Sequence, residues 1–187
     1  MQKIVLGLTG TIAAGKSTVS NFLASLNFNI INVDKIGHKV LQNPTIMYML
    51  TQEFGEDVVE NKVVNRQVLA HRAFTSAESV KCLNKITHPI LKQEVIKKAK
   101  KYDKVVIDAA LLFELNLNTI CNLCWFVDAP KCQRITRLGV NKQDFLKREK
   151  YQEPYHAKRK NCHSILMNDG SIDKLHQDIL ALLEEIK

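Results

Sequence analysis

A chain of 187 residues, 45% hydrophobic and 25% charged, is long enough to bury a core as one globular unit and has the composition of an ordinary soluble protein. Its 27 Lys+Arg against 19 Asp+Glu leave a formal charge of +8, which suits a polyanionic partner: nucleic acid, a membrane surface or a small polyphosphate. No apolar run approaches the ~18 residues of a membrane span. Met1-Gln2-Lys3, opening directly onto a strand, does not read as an export signal, so the expected location is cytoplasmic, with no membrane partner.

The first strand is predicted over residues 4–8. It runs into Gly10-Thr11-Ile12-Ala13-Ala14-Gly15-Lys16-Ser17, two glycines with four residues between them followed by Lys and Ser. Each part has a physical task. Glycines let the backbone curl so that successive N–H groups converge on an anion. Lys16 reaches the β- and γ-phosphates, and the Ser17 hydroxyl is a ligand for Mg²⁺. The residues after it, from Thr18, read as a helix whose N-terminal dipole adds positive potential at the phosphates. The spacing is not the Gly-x-Gly-x-x-Gly of dinucleotide sites, because Gly7, Gly10 and Gly15 fall elsewhere.

Further apolar strands are predicted over 30–33, 105–108, 124–128 and 164–167, short and nearly continuously apolar, as in a parallel sheet covered by helices on both faces. The fold class is therefore α/β, a parallel five-stranded sheet flanked by helices. About seventy residues separate the second and third strands, more than one crossover helix needs. They read as an all-helical insertion, with helices near 36–41, 45–54, 65–74 and 79–101, the last interrupted at His88-Pro89. A basic helical segment before the last strand occupies the position of a lid, and a helix over 173–186 closes the fold. The whole chain reads as one unit: a core of 1–34, 102–136 and 161–187, an acceptor-binding insertion over 35–101 and a lid over 137–160.

Two strands end on carboxylates. Asp108 is placed to hold Mg²⁺ beside the phosphate loop or simply to cap a helix. Asp34 is placed to take the proton from an acceptor hydroxyl, or again to cap. Five cysteines without an export signal suit reduced thiols. Cys121 and Cys124 have half a zinc spacing with no second pair, so buried small hydrophobes are the default, with Cys132 and Cys162-His163 left as chance recruits.

Gly7-Leu8-Thr9-Gly10 through Gly15-Lys16-Ser17-Thr18, Asn32-Val33-Asp34, His88-Pro89, Asp108-Ala109-Ala110-Leu111-Leu112-Phe113-Glu114, Val127-Asp128-Ala129-Pro130 with Arg137 behind it, and Gln152 together resemble the dephospho-coenzyme A kinase family, of the P-loop kinase fold. The resemblance spans nearly the whole chain. It implies transfer of the γ-phosphoryl of ATP to the ribose 3′-hydroxyl of dephospho-coenzyme A, with ATP and Mg²⁺ required and both substrates polyphosphates. By it, Asp34 is the base, Lys16 follows the transferring phosphoryl, and Arg137 neutralises charge at the lid. Gly10, Thr11, Ala13, Ala14, Gly15, Lys16, Ser17, Thr18, Arg148 and Gln152 bind the nucleotide. Asp34, His88, Asp108, Leu111, Leu112 and Glu114 bind the acceptor, while Ser17 and Asp108 hold the metal. A monomer or weak homo-oligomer is expected.

The chain departs from the family pattern in four places. Thr11-Ile12-Ala13-Ala14 is poorer in glycine than usual, Asn32 stands where Asp is usual, and Ala109-Ala110 replaces Val-Pro. An arginine expected soon after Arg137 is absent from Leu138-Gly139-Val140-Asn141, leaving Arg148 or Lys142 to replace it. Two rivals use other strings. Asp34-Lys35-Ile36-Gly37 and Asn141-Lys142-Gln143-Asp144 match GTPase motifs, but residues 133–140 read as helix rather than as the buried strand the second requires. A nucleic-acid-binding module has only the charge in its favour; at 6% aromatic residues the chain offers little to stack bases on, so no nucleic-acid partner is expected.

Overall fold

The computed structural model describes residues 3–139, 143, 145 and 155–185. The expected lid residues Lys142, Arg148 and Gln152 lie outside them. The chain forms two compact units, one of residues up to Asn32 and from Lys98 onward, the other Val33–Lys97.

The first unit is built on a five-stranded sheet in the order β2-β5-β1-β6-β7, with β1 (Ile4–Gly10), β2 (Asn29–Asn32), β5 (Lys104–Asp108), β6 (Leu123–Asp128) and β7 (Ser164–Met167). All four pairings are parallel. Continuous apolar runs suit strands covered on both faces, and Leu6, Leu8, Val105, Val106 and Ile107 are buried accordingly. Helices α1 (Lys16–Ser25) and α8 (Ile172–Glu184) pack over one face, where Val19, Leu23, Leu175 and Ile179 meet Leu6, Leu8, Trp125 and Leu166. Each fully buried side chain of that size is worth about 1.5–3 kcal/mol. Ser171 caps α8 by accepting from the Lys174 amide at 3.2 Å. Helix α6 (Lys131–Leu138) follows β6, so the expected helix over 133–140 is found as far as it is described, and α7 (Tyr155–Lys160) precedes β7.

The second unit holds α2 (Val33–Val40), α3 (Pro44–Phe54), α4 (Arg66–Ala73) and most of α5 (Ala77–Ala99). Its helices start where short polar side chains can cap them: Asn43 accepts from Thr45 N ahead of Pro44, and Asn65 accepts from the amides of Gln67 and Val68. Ile46, Leu50, Phe54, Val58, Val64, Leu69 and Ala73 are buried. Two expectations need correction. The insertion is not all-helical, because β3 (Val59–Glu60) and β4 (Val63–Val64) form an antiparallel hairpin. The 79–101 helix is not broken at His88-Pro89 either: α5 runs through Pro89, absorbing one lost backbone donor, while Thr87 Oγ1 donates to Leu83 O at 2.8 Å just before it.

Candidate active site

The carboxyl end of β1 meets that of β6 so closely that Gly10 has no alternative. A Cβ there would stand 2.3 Å from the backbone oxygen of Val127, its register partner. Thr11 then turns the chain, its amide donating to Val127 O at 3.1 Å and its hydroxyl to Asp128 Oδ1 at 3.1 Å. The loop twists left-handed twice, at Ala13 (φ 59°) and at Gly15 (φ 94°). Between them Ala14 is buried, and its carbonyl accepts from Asn168 Nδ2 at 2.8 Å and Arg137 Nη1 at 3.4 Å. A side chain at Gly15 would collide with Asn168 Nδ2, 2.2 Å away. The loop is thus pinned from outside, by the ends of β6 and β7 and by α6.

Its concave side is a different environment. Helix α1 begins at Lys16 with no side chain capping it; the Thr18 amide turns back to Gly15 O at 2.9 Å, and those of Lys16 and Ser17 are left for an anion. Ser17 is exposed on that turn. The Lys16 ammonium is paired with Asp108 Oδ1, and the Asp108 side chain is 4% exposed at the end of β5. Asn32, at the end of β2, is the register partner of Asp108. An aspartate at 32 would set a second carboxylate beside the first.

Beyond Asp108 the chain is tied back to β1 by Ala109 N donating to Leu8 O at 3.0 Å and Thr9 Oγ1 donating to Ala110 O at 3.4 Å. Leu112 is fully buried while Leu111 is 38% exposed. Glu114 Oε1 lies 2.6 Å from Lys158 Nζ on α7. Arg137, in the last turn of α6, donates Nη2 to Gln133 Oε1 and to Asn168 O, both at 2.9 Å. In the second unit, Asp34 is exposed in the first turn of α2 and His88 is half-buried on α5. The Asp34-Lys35-Ile36-Gly37 string lies within α2.

The description of one family model, dephospho-CoA kinase, fits residues 4–174. A dephospho-CoA kinase of Carboxydothermus hydrogenoformans is 34% identical over 194 residues, covering 98% of this chain and 94% of its own. A crystal structure of TT1252 from Thermus thermophilus superposes with a TM-score of 0.85 at 27% identity, covering all of both chains. The dephospho-CoA kinase from Campylobacter jejuni, at 22% identity and a TM-score of 0.64, covers 98% of this chain and 97% of its own and shares the fold. The chain belongs to the dephospho-CoA kinase family. It is a kinase, and the family's reaction is the final step of coenzyme A biosynthesis.

For a dephospho-CoA kinase the first unit assembles Gly10–Thr18, Asp108 and Arg137 around the ends of parallel strands, where ligands of open α/β sheets bind, whereas Leu112 is buried against Gly7, in from that edge. Sequence reasoning gave no role to three residues that hold this arrangement. Asp128 accepts from Thr11 Oγ1 and Ala129 N, Asn168 clasps Ala14 O, and Lys158 reaches Glu114 and Ala110 O. Asp128 and Asn168 were findable, since each stands at or just past the end of a buried strand, as Asp108 does.

The cysteines play no part in this geometry. All five are free thiols, and no cluster of three or more metal-ligating side chains occurs among the described residues. A hydrogen bond between the Cys121 and Cys124 thiols raises the first and lowers the second, while burial pushes Cys162 up to about 12.

Proposed function

We propose that the chain transfers the γ-phosphoryl of ATP to the ribose 3′-hydroxyl of dephospho-coenzyme A, releasing ADP and coenzyme A. The observation that carries this reading is the Lys16–Asp108 ion pair at the mouth of an uncapped helix and a pinned glycine loop. Such a pair stores a mobile cation and a fixed anion side by side. A polyphosphate offers the ammonium better partners than one carboxylate, and Asp108 is then released for other work.

The roles follow from the residues present. The amides of the loop and first turn that the chain does not use itself, those of Gly15, Lys16 and Ser17 among them, cradle the phosphates, and Lys16 keeps its charge on the phosphoryl in transit. Ser17 and Asp108 are hard oxygen donors of the kind Mg²⁺ takes and would hold the ion, which would supply charge neutralisation for the phosphates. Arg137 adds a fixed cation behind the loop. Asp34 accepts the proton of the 3′-hydroxyl, and His88, Leu111 and Glu114 hold the acceptor, with Arg148 and Gln152 on the nucleotide; Leu112, fully buried, supports the turn from behind. Free thiols and two polyphosphate substrates support a cytoplasmic enzyme.

A coupled ADP-release assay tests the reading, with dephospho-coenzyme A compared with adenosine, AMP and shikimate as acceptors. Turnover is expected with dephospho-coenzyme A and ATP. Asp34→Asn is expected to lower kcat by about 10² or more with little change in the KM for ATP. Near-normal turnover in that variant would remove Asp34 as the base, and preference for another acceptor would overturn the assignment.

A further inference from the structure

Lys158 is the least expected charge in the first unit. It is 3% exposed, yet it sits on a six-residue helix rich in surface cations, where Arg159 and Lys160 are exposed. Burying an ammonium is expensive, and a well-packed apolar side chain in its place is commonly neutral or stabilising. A stability argument therefore does not explain it. Its contacts do. Nζ donates to Ala110 O at 3.1 Å and lies 2.6 Å from Glu114 Oε1. Both points belong to the short turn that follows Asp108. The same turn is held on its other side by Thr9 Oγ1 on Ala110 O and by Ala109 N on Leu8 O.

Glu114 is equally telling. Its two carboxylate oxygens are shut off from solvent, and neither accepts an aligned hydrogen bond from a described group. The ammonium of Lys158 is its counter-charge, and the carboxylate keeps acceptor capacity that a buried anion ordinarily spends.

We propose that Lys158 is a positioning residue for phosphoryl transfer. It cross-links Ala110 and Glu114 so that the turn after Asp108 keeps one conformation and the Glu114 carboxyl keeps its counter-charge. It touches neither substrate. Its effect therefore falls on the acceptor side of the reaction, through Glu114, and not on the grip on ATP. The inference rests on the kinase reading above and adds to it a residue that acts from α7.

The test is steady-state kinetics of Lys158→Met, Glu114→Gln and the double variant, with Lys158→Arg as the conservative replacement and thermal melts alongside. Lys158→Met is expected to lower kcat/KM for dephospho-coenzyme A by about 10²-fold while the KM for ATP moves less than about threefold. It also strands a buried carboxylate, so its Tm is expected to fall by about 10 °C. In the Glu114→Gln background that stranded charge is gone, so the double variant is expected to melt near Glu114→Gln. There Lys158→Met is expected to cost less than about threefold further in kcat/KM, because both residues act as one unit. Lys158→Arg, which keeps the charge, is expected to recover part of the loss. The inference is overturned if folded Lys158→Met keeps kcat/KM within about threefold of the parent. It also fails if ATP and acceptor kinetics fall together with the folded fraction, or if the two substitutions multiply independently. Loss of the kinase reading itself has a separate signature, since the parent protein would then not turn over dephospho-coenzyme A.

Discussion

Strands β1 and β6 run side by side through two unlike regions. At Gly10 and Val127 they reach the carboxyl edge, where backbone meets backbone and every polar group has a job: Thr11 on Asp128, Asn168 on Ala14, Lys16 on Asp108. Three residues earlier, at Gly7 and Cys124, the surroundings are Leu112 and the thiols of Cys121 and Cys124. Both positions are glycine, for different reasons. A Cβ at Gly10 meets a carbonyl oxygen that cannot leave the sheet, while one at Gly7 meets side-chain ends that can turn aside. Close backbone approach is the requirement of the anion-binding edge; volume alone governs the interior.

Gly10→Ala is the hardest blow this contrast allows. A methyl 2.3 Å from Val127 O must part β1 from β6 where Thr11 begins the loop. Turnover is expected to fall by more than 10³-fold, with ATP binding lost in calorimetry and the far-UV spectrum largely kept. Turnover within about tenfold of the parent would mean that the loop does not depend on this contact.

The thiol region is sharpened by chemistry instead. Burial holds the Cys162 thiol at about 12 against an ordinary value of 9.0, so at pH 8 it carries about 10³-fold less thiolate than an unburied cysteine. Alkylation followed by mass spectrometry is expected to label exposed Cys132 well before Cys162, with Cys162 gaining rate up to pH 12. The sign for stability is fixed by the same shift. The native chain holds this proton more tightly than the unfolded one, so the contribution is intact below pH 9 and is lost between pH 9 and 12. Equal labelling of Cys132 and Cys162 at pH 8 would show that Cys162 is open to solvent.

The same division explains what was legible in the sequence. The central strands β1, β5 and β6 announce themselves because parallel strands covered on both faces need unbroken apolar runs, and Gly10 to Ser17 because an anion cradle needs those residue types in that order. The β3–β4 hairpin, with two-residue strands, is too short to show a period. Pro89 was read as a break, but one lost donor is a small part of a 23-residue helix. Lys158 stayed hidden because its partner Ala110 lies 48 residues away and no local pattern encodes a contact of that range, whereas Asn168, with a partner 154 residues away, had its place just past a strand end as the one local signal. The Lys16–Asp108 pair spans 92 residues; the pairing itself was not expected, but each partner stands in a motif of its own, and those motifs put both beside the phosphate loop.

Gly7→Ala separates interior from edge at moderate strength. Its methyl would sit 2.8 Å from Leu112 Cδ2 and 3.0 Å from Cys121 Sγ. Overpacking of this kind costs about 1–3 kcal/mol, or roughly 3–10 °C in Tm, while kcat/KM stays within about threefold. A collapse of activity with Tm unchanged would place Gly7 with Gly10 rather than with the core.

The smallest effect tests the loop's one conformational compromise. Ala13 holds φ 59°, a left-handed conformation that costs an L-residue about 1–2 kcal/mol, and the family usually spends more glycine here. Ala13→Gly removes that cost but gives the unfolded chain extra freedom worth about 0.4–1 kcal/mol. The balance favours the variant by about 0.5–1 kcal/mol, a Tm rise of roughly 2 °C, with kcat/KM within about twofold. Strain relief and activity part company here: a more stable variant with unchanged turnover means that the alanine is merely tolerated. A destabilised variant would mean that the half-buried methyl contributes packing that outweighs its strain. Faster turnover with lower stability would instead assign the alanine to holding the amides of the loop too rigidly for the phosphates to settle.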